Sequence, residues 1–108
     1  MPGTPPPPGF EESRPVTPDE LRELPGPSQD AIHTLERCIA SHHVVDVDYT
    51  DAAAHKSTIR IRPGYIRHNI AQHLVRWGIP VDKEHWEELR FDRMQAVRDT
   101  GEGFTPTW

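Results

Sequence analysis

The spacing of apolar residues changes once along the chain, from a helical repeat to alternation. Ile32, Leu35 and Ile39 follow one another at three- and four-residue intervals, which predicts an amphipathic helix from about Gln29 to Ser41. Ser28 precedes this segment and is expected to cap it.

After this helix, apolar and polar residues alternate, as they do in strands that are buried on one face. The pattern predicts five short strands, at residues 44–49, 57–62 continuing as 65–67, 73–77, 86–91 and 94–98. We expect a bulge at Pro63-Gly64 and a loop over residues 78–82. Because closure removes exposed strand edges, short meandering strands commonly form barrels. The predicted fold class is α+β: one helix followed by a small five-strand β-barrel.

The first 27 residues are predicted to be a disordered proline-rich arm. Eight of the twelve prolines lie in the first 25 residues. The sizeable apolar side chains of the arm are Phe10, Val16, Leu21 and Leu24. Their burial is too small to offset the entropy of ordering the chain. The expected organisation is an arm over residues 1–27 and one domain over 28–108.

Two local signals stand out within the arm. The run Pro5–Pro8 favours a polyproline II conformation and matches the PxxP pattern of SH3 ligands, although such runs are more often spacers. Thr17 and Pro18 can cap and start one short helical turn. At the other end, Phe104 and Trp108 are expected to fold the tail onto the domain.

Length and composition exclude several classes of protein. The chain has 108 residues and a net charge of −5. It contains neither an apolar run of about 18 residues nor a secretory signal, so no membrane association is predicted. The single Cys38 excludes internal disulfides and indicates a reducing, cytoplasmic environment. The small core is compatible with a homo-oligomer.

Enzymatic and metal-binding motifs are missing from the sequence. It has no G-x-S-x-G elbow, phosphate-binding loop or dinucleotide fingerprint, so we expect no catalytic residues and no cofactor. His68 and His73 flank a turn but lack a third ligand. Asp46 and Asp48 begin like a calcium loop whose later positions do not fit, so no metal site is predicted.

Arginines and aromatic residues are interleaved across the strand region. The arginines are Arg60, Arg62, Arg67, Arg76, Arg90, Arg93 and Arg98, and the aromatics are Tyr65, Trp77, Trp86 and Phe91. Such a surface can hold a phosphate backbone and stack a base. Alternatively, the arginines pair with carboxylates on neighbouring strands. Composition leaves both interpretations open.

Between Ile32 and Phe104, about 73 residues resemble the WYL domain. The stretches that carry the match are Leu35–Ala40 leading into Val44–Asp51, Arg60–Pro63, Gln72–Val75 and Leu89–Met94. The last is similar to the family's closing F-R-L-D-R-I segment. The resemblance implies a Sm-like, SH3-type barrel after one helix, in mostly bacterial proteins that regulate transcription.

The resemblance also implies a basic pocket for a ligand, with nucleotides or single-stranded nucleic acid favoured. It places His73, Arg90 and Arg93 in that pocket, with Arg62 as a further candidate; Trp77 is expected to stack on the ligand. Gln72 and His73 replace the Trp and Tyr of the family signature. A histidine at this position would make the site sensitive to pH.

Two functional hypotheses follow. The first is a non-enzymatic ligand-binding and regulatory module that senses a phosphate-bearing ligand, alongside a separate DNA-binding protein. The second is a protein–protein interaction module with no small ligand, in which the arginines are ion-paired. Glu87, which lies where the family has a basic residue, favours the second hypothesis.

Overall fold

The computed structural model of the chain describes residues 3–24, 26–69, 71 and 73–108, with residues 27 and 28 described by their backbone alone. The elements in chain order are β1 (Arg14–Pro15), α1 (Pro18–Arg22), α2 (Gly26–Ser41), β2 (His43–Thr50), β3 (Lys56–His68), β4 (Leu74–Pro80), β5 (Glu87–Arg90), a 3₁₀ turn (Phe91–Arg93) and β6 (Met94–Gly103).

Helix α2 confirms the helix predicted from the apolar spacing. Its Ile32 and Leu35 are buried against the sheet, as the three- and four-residue intervals require. The helix begins at Gly26, so Ser28 lies inside the first turn and not before it. It ends at Ser41, and His42 then adopts a φ of 57°, a left-handed conformation that turns the chain into β2.

The sheet is antiparallel and has the order β5-β4-β3-β2-β6 among the described residues. Strand β3 is long enough to pair with three neighbours, because β2 covers its first half while β1 and β4 flank its second half. The register shifts between Pro63 and Tyr65, which confirms the predicted bulge. Strand β4 continues to Pro80, where the sequence pattern indicated a loop, because Ile79 is buried in the sheet.

The predicted five-strand barrel is wrong in two respects: over the described part of the chain, the sheet has six strands and is not closed. Closure would require β5 to pair with β6, yet the described ladders end at β5 on one edge and at β6 on the other. Strand β5 has only four residues before the 3₁₀ turn. The turn then sends β6 across to pair with β2, so the two edge strands are joined through the chain and not by a ladder.

The prediction of a disordered arm is also wrong over the described residues 3–24. Phe10 packs against Tyr65 with ring centroids 4.8 Å apart. Arg67 donates from Nε to Ser13 Oγ at 2.5 Å and from Nη2 to Ser13 O at 3.1 Å. The arm therefore makes its contacts with side chains far away in sequence, which its own composition does not show.

Helix α1 confirms the helical turn expected within the arm. Thr17 is its N-cap and forms a capping box with Glu20, and Pro18 lies at the first helical position. Glu20 also forms an ion pair with Arg14 at 2.9 Å, which ties α1 to β1.

The core lies between α2 and the inner face of the sheet. Its buried residues are Ile32, Leu35, Cys38, Val45, Val47, Tyr49, Ile61, Leu89 and Phe91. Strands β2 and β3 thus form the floor of the core, and β5 with the 3₁₀ turn closes one end.

Candidate functional site

Three of the five candidate ligand residues come together beside Asp92. Strands β4 and β5 pair Val75 with Arg90, which brings His73 towards the 3₁₀ turn that carries Asp92 and Arg93. Nε and Nη2 of Arg90 donate to the two carboxylate oxygens of Asp92 at 3.0 and 2.5 Å. These hydrogen bonds lower the pKa of the Asp92 carboxyl, and the charges of Arg93 and His73 lower it further. We call His73, Arg90, Asp92 and Arg93 the Asp92 corner.

The Asp92 corner carries a net positive charge. It holds two guanidinium groups against one carboxylate, before any charge on His73 is counted. The fork of Arg90 is engaged by Asp92, so an incoming phosphate would have to compete with that carboxylate. Arg93 is half-buried, and its charge lowers the pKa of both the Asp92 and the Asp51 carboxyl groups.

His73 is fixed by the turn between β3 and β4. Its backbone N–H donates to Asn69 Oδ1 at 2.9 Å, and its carbonyl accepts from the Asn69 N–H at 3.0 Å. The His73 side chain is half-buried. Gln72, which stands at the first signature position, lies outside the described residues.

Trp77 lies apart from the Asp92 corner and inside the fold. It is 2% exposed, and its ring centroid lies 6.0 Å from that of Phe10. A base could stack on the outer face of Trp77 only after Phe10 had moved.

Arg62 also lies apart from the corner and is used within the fold. Its guanidinium donates to the backbone carbonyls of Ile79, Pro80 and Lys83 at 3.2, 2.9 and 2.6 Å. These hydrogen bonds hold the turn after β4 against β3. Arg62 lines a cavity of about 290 Å³, but its nitrogens are occupied by the protein itself.

The sequence analysis did not distinguish Arg76 from the other arginines of the strands, yet its guanidinium is buried in the fold. It is fully buried, and none of its three side-chain nitrogens is hydrogen-bonded to a described residue. Burial lowers the pKa of its guanidinium to about 9, while the charge of Glu87 opposes this shift, so it remains charged at neutral pH. The available signal was an arginine within the apolar run from Leu74 to Trp77.

Glycine 78 provides the space for this buried arginine. A Cβ at Gly78 would lie 2.7 Å from Arg76 Nη1 and 2.7 Å from the Arg62 carbonyl oxygen. Any larger residue would therefore push the Arg76 guanidinium from its place.

Two arginines on the strands beside β2 are paired with the carboxylates of β2. Arg60 donates to Asp46 at 2.9 and 3.1 Å, and Arg98 donates to Asp48 at 2.8 and 2.9 Å. The hydrogen bonds from Arg98, followed by that from Thr58, lower the pKa of Asp48 to about 2. This side of β2 is therefore a network of neutralised charges.

A second surface of the sheet is aromatic. Trp86 lies between Tyr65 and Trp108, with centroid distances of 5.5 and 4.7 Å, and we call these three residues the aromatic surface. Gly64 allows the Trp86 ring to lie close to β3, since a Cβ at Gly64 would be only 2.6 Å from Trp86 Cζ3. Phe104 packs against Trp108 at 5.9 Å, as expected for a tail folded onto the domain.

An open groove of about 410 Å³ separates α2 from β3. Ile32, Ile39 and Tyr65 contribute apolar walls, and Glu36 and Arg67 contribute one charge of each sign. The groove therefore has no preference for anions.

The chemistry of the described residues does not suggest a catalytic centre. Burial, followed by the charge of Asp99, raises the pKa of the Cys38 thiol to about 11, so the thiol is neither ionised nor accessible. No group of three metal-ligating side chains occurs among the described residues. Across the same residues, no helix has the length and apolar character needed to cross a membrane.

Comparisons with known proteins place the fold beside that of a solved structure. No protein-family model matches the sequence. Among solved structures, the chain is similar to proteasome accessory factor B/C (PafBC) of Arthrobacter aurescens, with a TM-score of 0.64 and 12% identity. The match covers 85% of this chain and 13% of the PafBC chain. The chain therefore shares its fold with part of the PafBC protein.

Proposed function

We propose that the chain is a non-enzymatic regulatory module of the WYL type, which binds a phosphate-bearing ligand at the Asp92 corner. A nucleotide or a single-stranded nucleic acid has the required chemistry. The shared fold with part of PafBC supports the regulatory assignment. On this proposal, a separate DNA-binding protein carries the signal to a promoter.

The observation that carries the proposal is the ion pair of Arg90 with Asp92, with Arg93 next in the same 3₁₀ turn and His73 beside the pairing of Val75 with Arg90. The two guanidinium groups are Arg93, which makes no ion pair with a described side chain, and Arg90, whose fork would transfer from Asp92 to the phosphate. His73 would add a ring nitrogen that hydrogen-bonds the ligand beside the two guanidinium groups.

The second candidate is a protein–protein interaction module with no small ligand. The ion pairs of Arg60 with Asp46 and of Arg98 with Asp48 favour it, because they remove four charges from the surface of an acidic chain. Arg60 and Arg98 would bind a phosphate backbone only by giving up these ion pairs.

Fluorescence anisotropy of labelled single-stranded DNA and RNA, at low and moderate salt, tests the proposal. We expect binding that weakens with salt, with a log–log slope of about −0.7 for each phosphate neutralised. Arg93→Ala should weaken binding by about 1.5–3 kcal/mol, the scale of a hydrogen bond to a charged group.

Arg98→Ala is the matched control, because it removes the same charge from a residue that is already paired and lies outside the corner. Equal losses in Arg93→Ala and Arg98→Ala would contradict a specific site at the corner. Absence of binding to nucleic acid and to nucleotides at low salt would favour the interaction module.

A further inference from the structure

The segment Gly3–Pro8, which we call the proline segment, is seated at the edge of the aromatic surface. Trp86 donates its indole N–H to the Pro5 carbonyl at 2.7 Å. Thr4 donates its backbone N–H to the Thr107 carbonyl at 2.9 Å, and the two threonine hydroxyls lie 2.6 Å apart. The contacts thus join the segment both to the Trp86 side chain and to the backbone beside Trp108.

The pattern of burial within the proline segment has a period of three. Thr4 is half-buried and Pro7 is buried, whereas the residues around them are exposed. A polyproline II helix has three residues per turn, so the burial of Thr4 and Pro7, three positions apart, matches one face of such a helix. Proline-recognition domains bind this conformation in aromatic grooves. An indole N–H bonded to a proline carbonyl is the kind of contact such a groove requires.

The proline segment is separable from the rest of the arm. Gly9 follows it with a φ of +84° and open space around its Cα. Phe10 comes next and is anchored, with Tyr65 at 4.8 Å and the Arg67 guanidinium 4.6 Å from its ring. The Phe10 N–H donates to the Pro7 carbonyl across Gly9 at 3.0 Å. Once this one turn hydrogen bond is released, the segment can leave the aromatic surface by rotation at Gly9 while Phe10 stays in place.

We propose that the aromatic surface is a binding groove for proline-rich peptides of a partner protein, and that the chain's own proline segment occupies this groove as a competitor. A partner with an uncharged run of prolines would make the same hydrogen bond to Trp86 and fill the place of Pro7. Because the competing segment is tethered, its effective concentration at the groove is high. A partner peptide therefore displaces it only when the partner's own concentration or affinity is high enough.

A hexapeptide with the sequence of residues 3–8, labelled with fluorescein, is the probe for this groove. Pro7→Asp places a charge at the buried position of the chain's own segment, so the segment should dissociate and leave the groove free. If the groove is free in about one wild-type molecule in ten, Pro7→Asp should bind the probe about tenfold more tightly than the wild type. Pro6→Asp is the matched control: it adds the same charge at an exposed proline and should leave the affinity near that of the wild type.

A second measurement uses the unsubstituted chain and does not depend on the folding of a variant. The ¹⁵N–¹H resonance of the Trp86 indole should shift when unlabelled hexapeptide is added at millimolar concentration. A peptide with alanines in place of the four prolines should leave it unchanged. Trp86→Phe, which keeps a ring but removes the donor, should abolish the gain in affinity caused by Pro7→Asp.

The proposal is overturned if Pro7→Asp binds the probe no more tightly than Pro6→Asp, or if the Trp86 resonance does not move. A dimer in which the segment exchanges between two copies, with no binding of added peptide, would also overturn it. The groove shares no residue with the Asp92 corner, so each proposal can fail without the other.

Discussion

Arg76 places a positive charge in the interior of the protein, and none of its side-chain nitrogens is hydrogen-bonded to a described residue. An uncompensated buried charge is costly, whereas an apolar side chain of similar length would avoid that cost. We therefore expect Arg76→Met to raise the free energy of unfolding by about 1–4 kcal/mol. Urea denaturation monitored by tryptophan fluorescence measures this change.

Arg98→Met serves as the control for this substitution, because it removes an exposed arginine whose ion pair contributes at most about 1 kcal/mol. If Arg76→Met lowers the stability instead, the guanidinium must be satisfied in solution by water or by an anion.

Asp48 gives the protein a defined response to acid. Its hydrogen bonds with Arg98 and Thr58 lower its pKa to about 2, below the value of about 3.9 for an unfolded chain. A carboxyl whose pKa is lowered by folding stabilises the folded state above the unfolded pKa, and this contribution is lost as the pH falls towards the folded pKa. We expect the Asp48 carboxyl ¹³C shift to titrate with a midpoint near pH 2.

The variant Asp48→Asn checks the link to stability. It should reduce the pH dependence of unfolding between about pH 4 and pH 2, where the Asp48 carboxyl takes up its proton. A midpoint near the unfolded value would show that the Arg98 pair does not persist in solution.

Strand β3 depends on a small residue at its bulge. A Cβ at Gly64 would lie 2.6 Å from the Trp86 ring, whereas a Cβ at Gly103 in β6 would come no closer than 3.9 Å to a neighbour. Gly64→Ala should therefore displace Trp86 and lower the free energy of unfolding by about 1–3 kcal/mol. Gly103→Ala should change it by less than about 0.5 kcal/mol.

Thermal unfolding and the tryptophan emission spectrum, to which Trp77, Trp86 and Trp108 contribute, report on both glycine substitutions. Equal stability of the two variants would mean that the Trp86 ring does not lie against β3 in solution.

Elements with a strong local pattern could be predicted from the sequence, and elements held by distant contacts could not. The spacing of Ile32, Leu35 and Ile39 predicted α2, and Thr17 predicted the start of α1. The order of the arm depends on Phe10 meeting Tyr65, which lies 55 positions later in the sequence. That contact cannot be predicted from residues 1–27 alone.

At the scale of the whole molecule, the candidate site also combines features that local sequence predicts with features that only the fold determines. Arg90 and Arg93 are near neighbours in sequence, so their proximity was predictable, and the strand pairing adds His73. Trp77 was grouped with them as a stacking ring and Arg62 as a further candidate from the resemblance. The fold instead uses Trp77 in its interior and Arg62 against the turn after β4. Residue type indicates what a side chain can bind, whereas burial decides whether a ligand can reach it.

The hydrogen bonds between Thr4 and Thr107 bring the two ends of the described chain together. Because its first and last described residues are adjacent, a fold of this kind can be inserted into a single surface loop of a host protein. The host's flanking segments would then remain side by side, and a signal that loosened this junction would act on both of them at once.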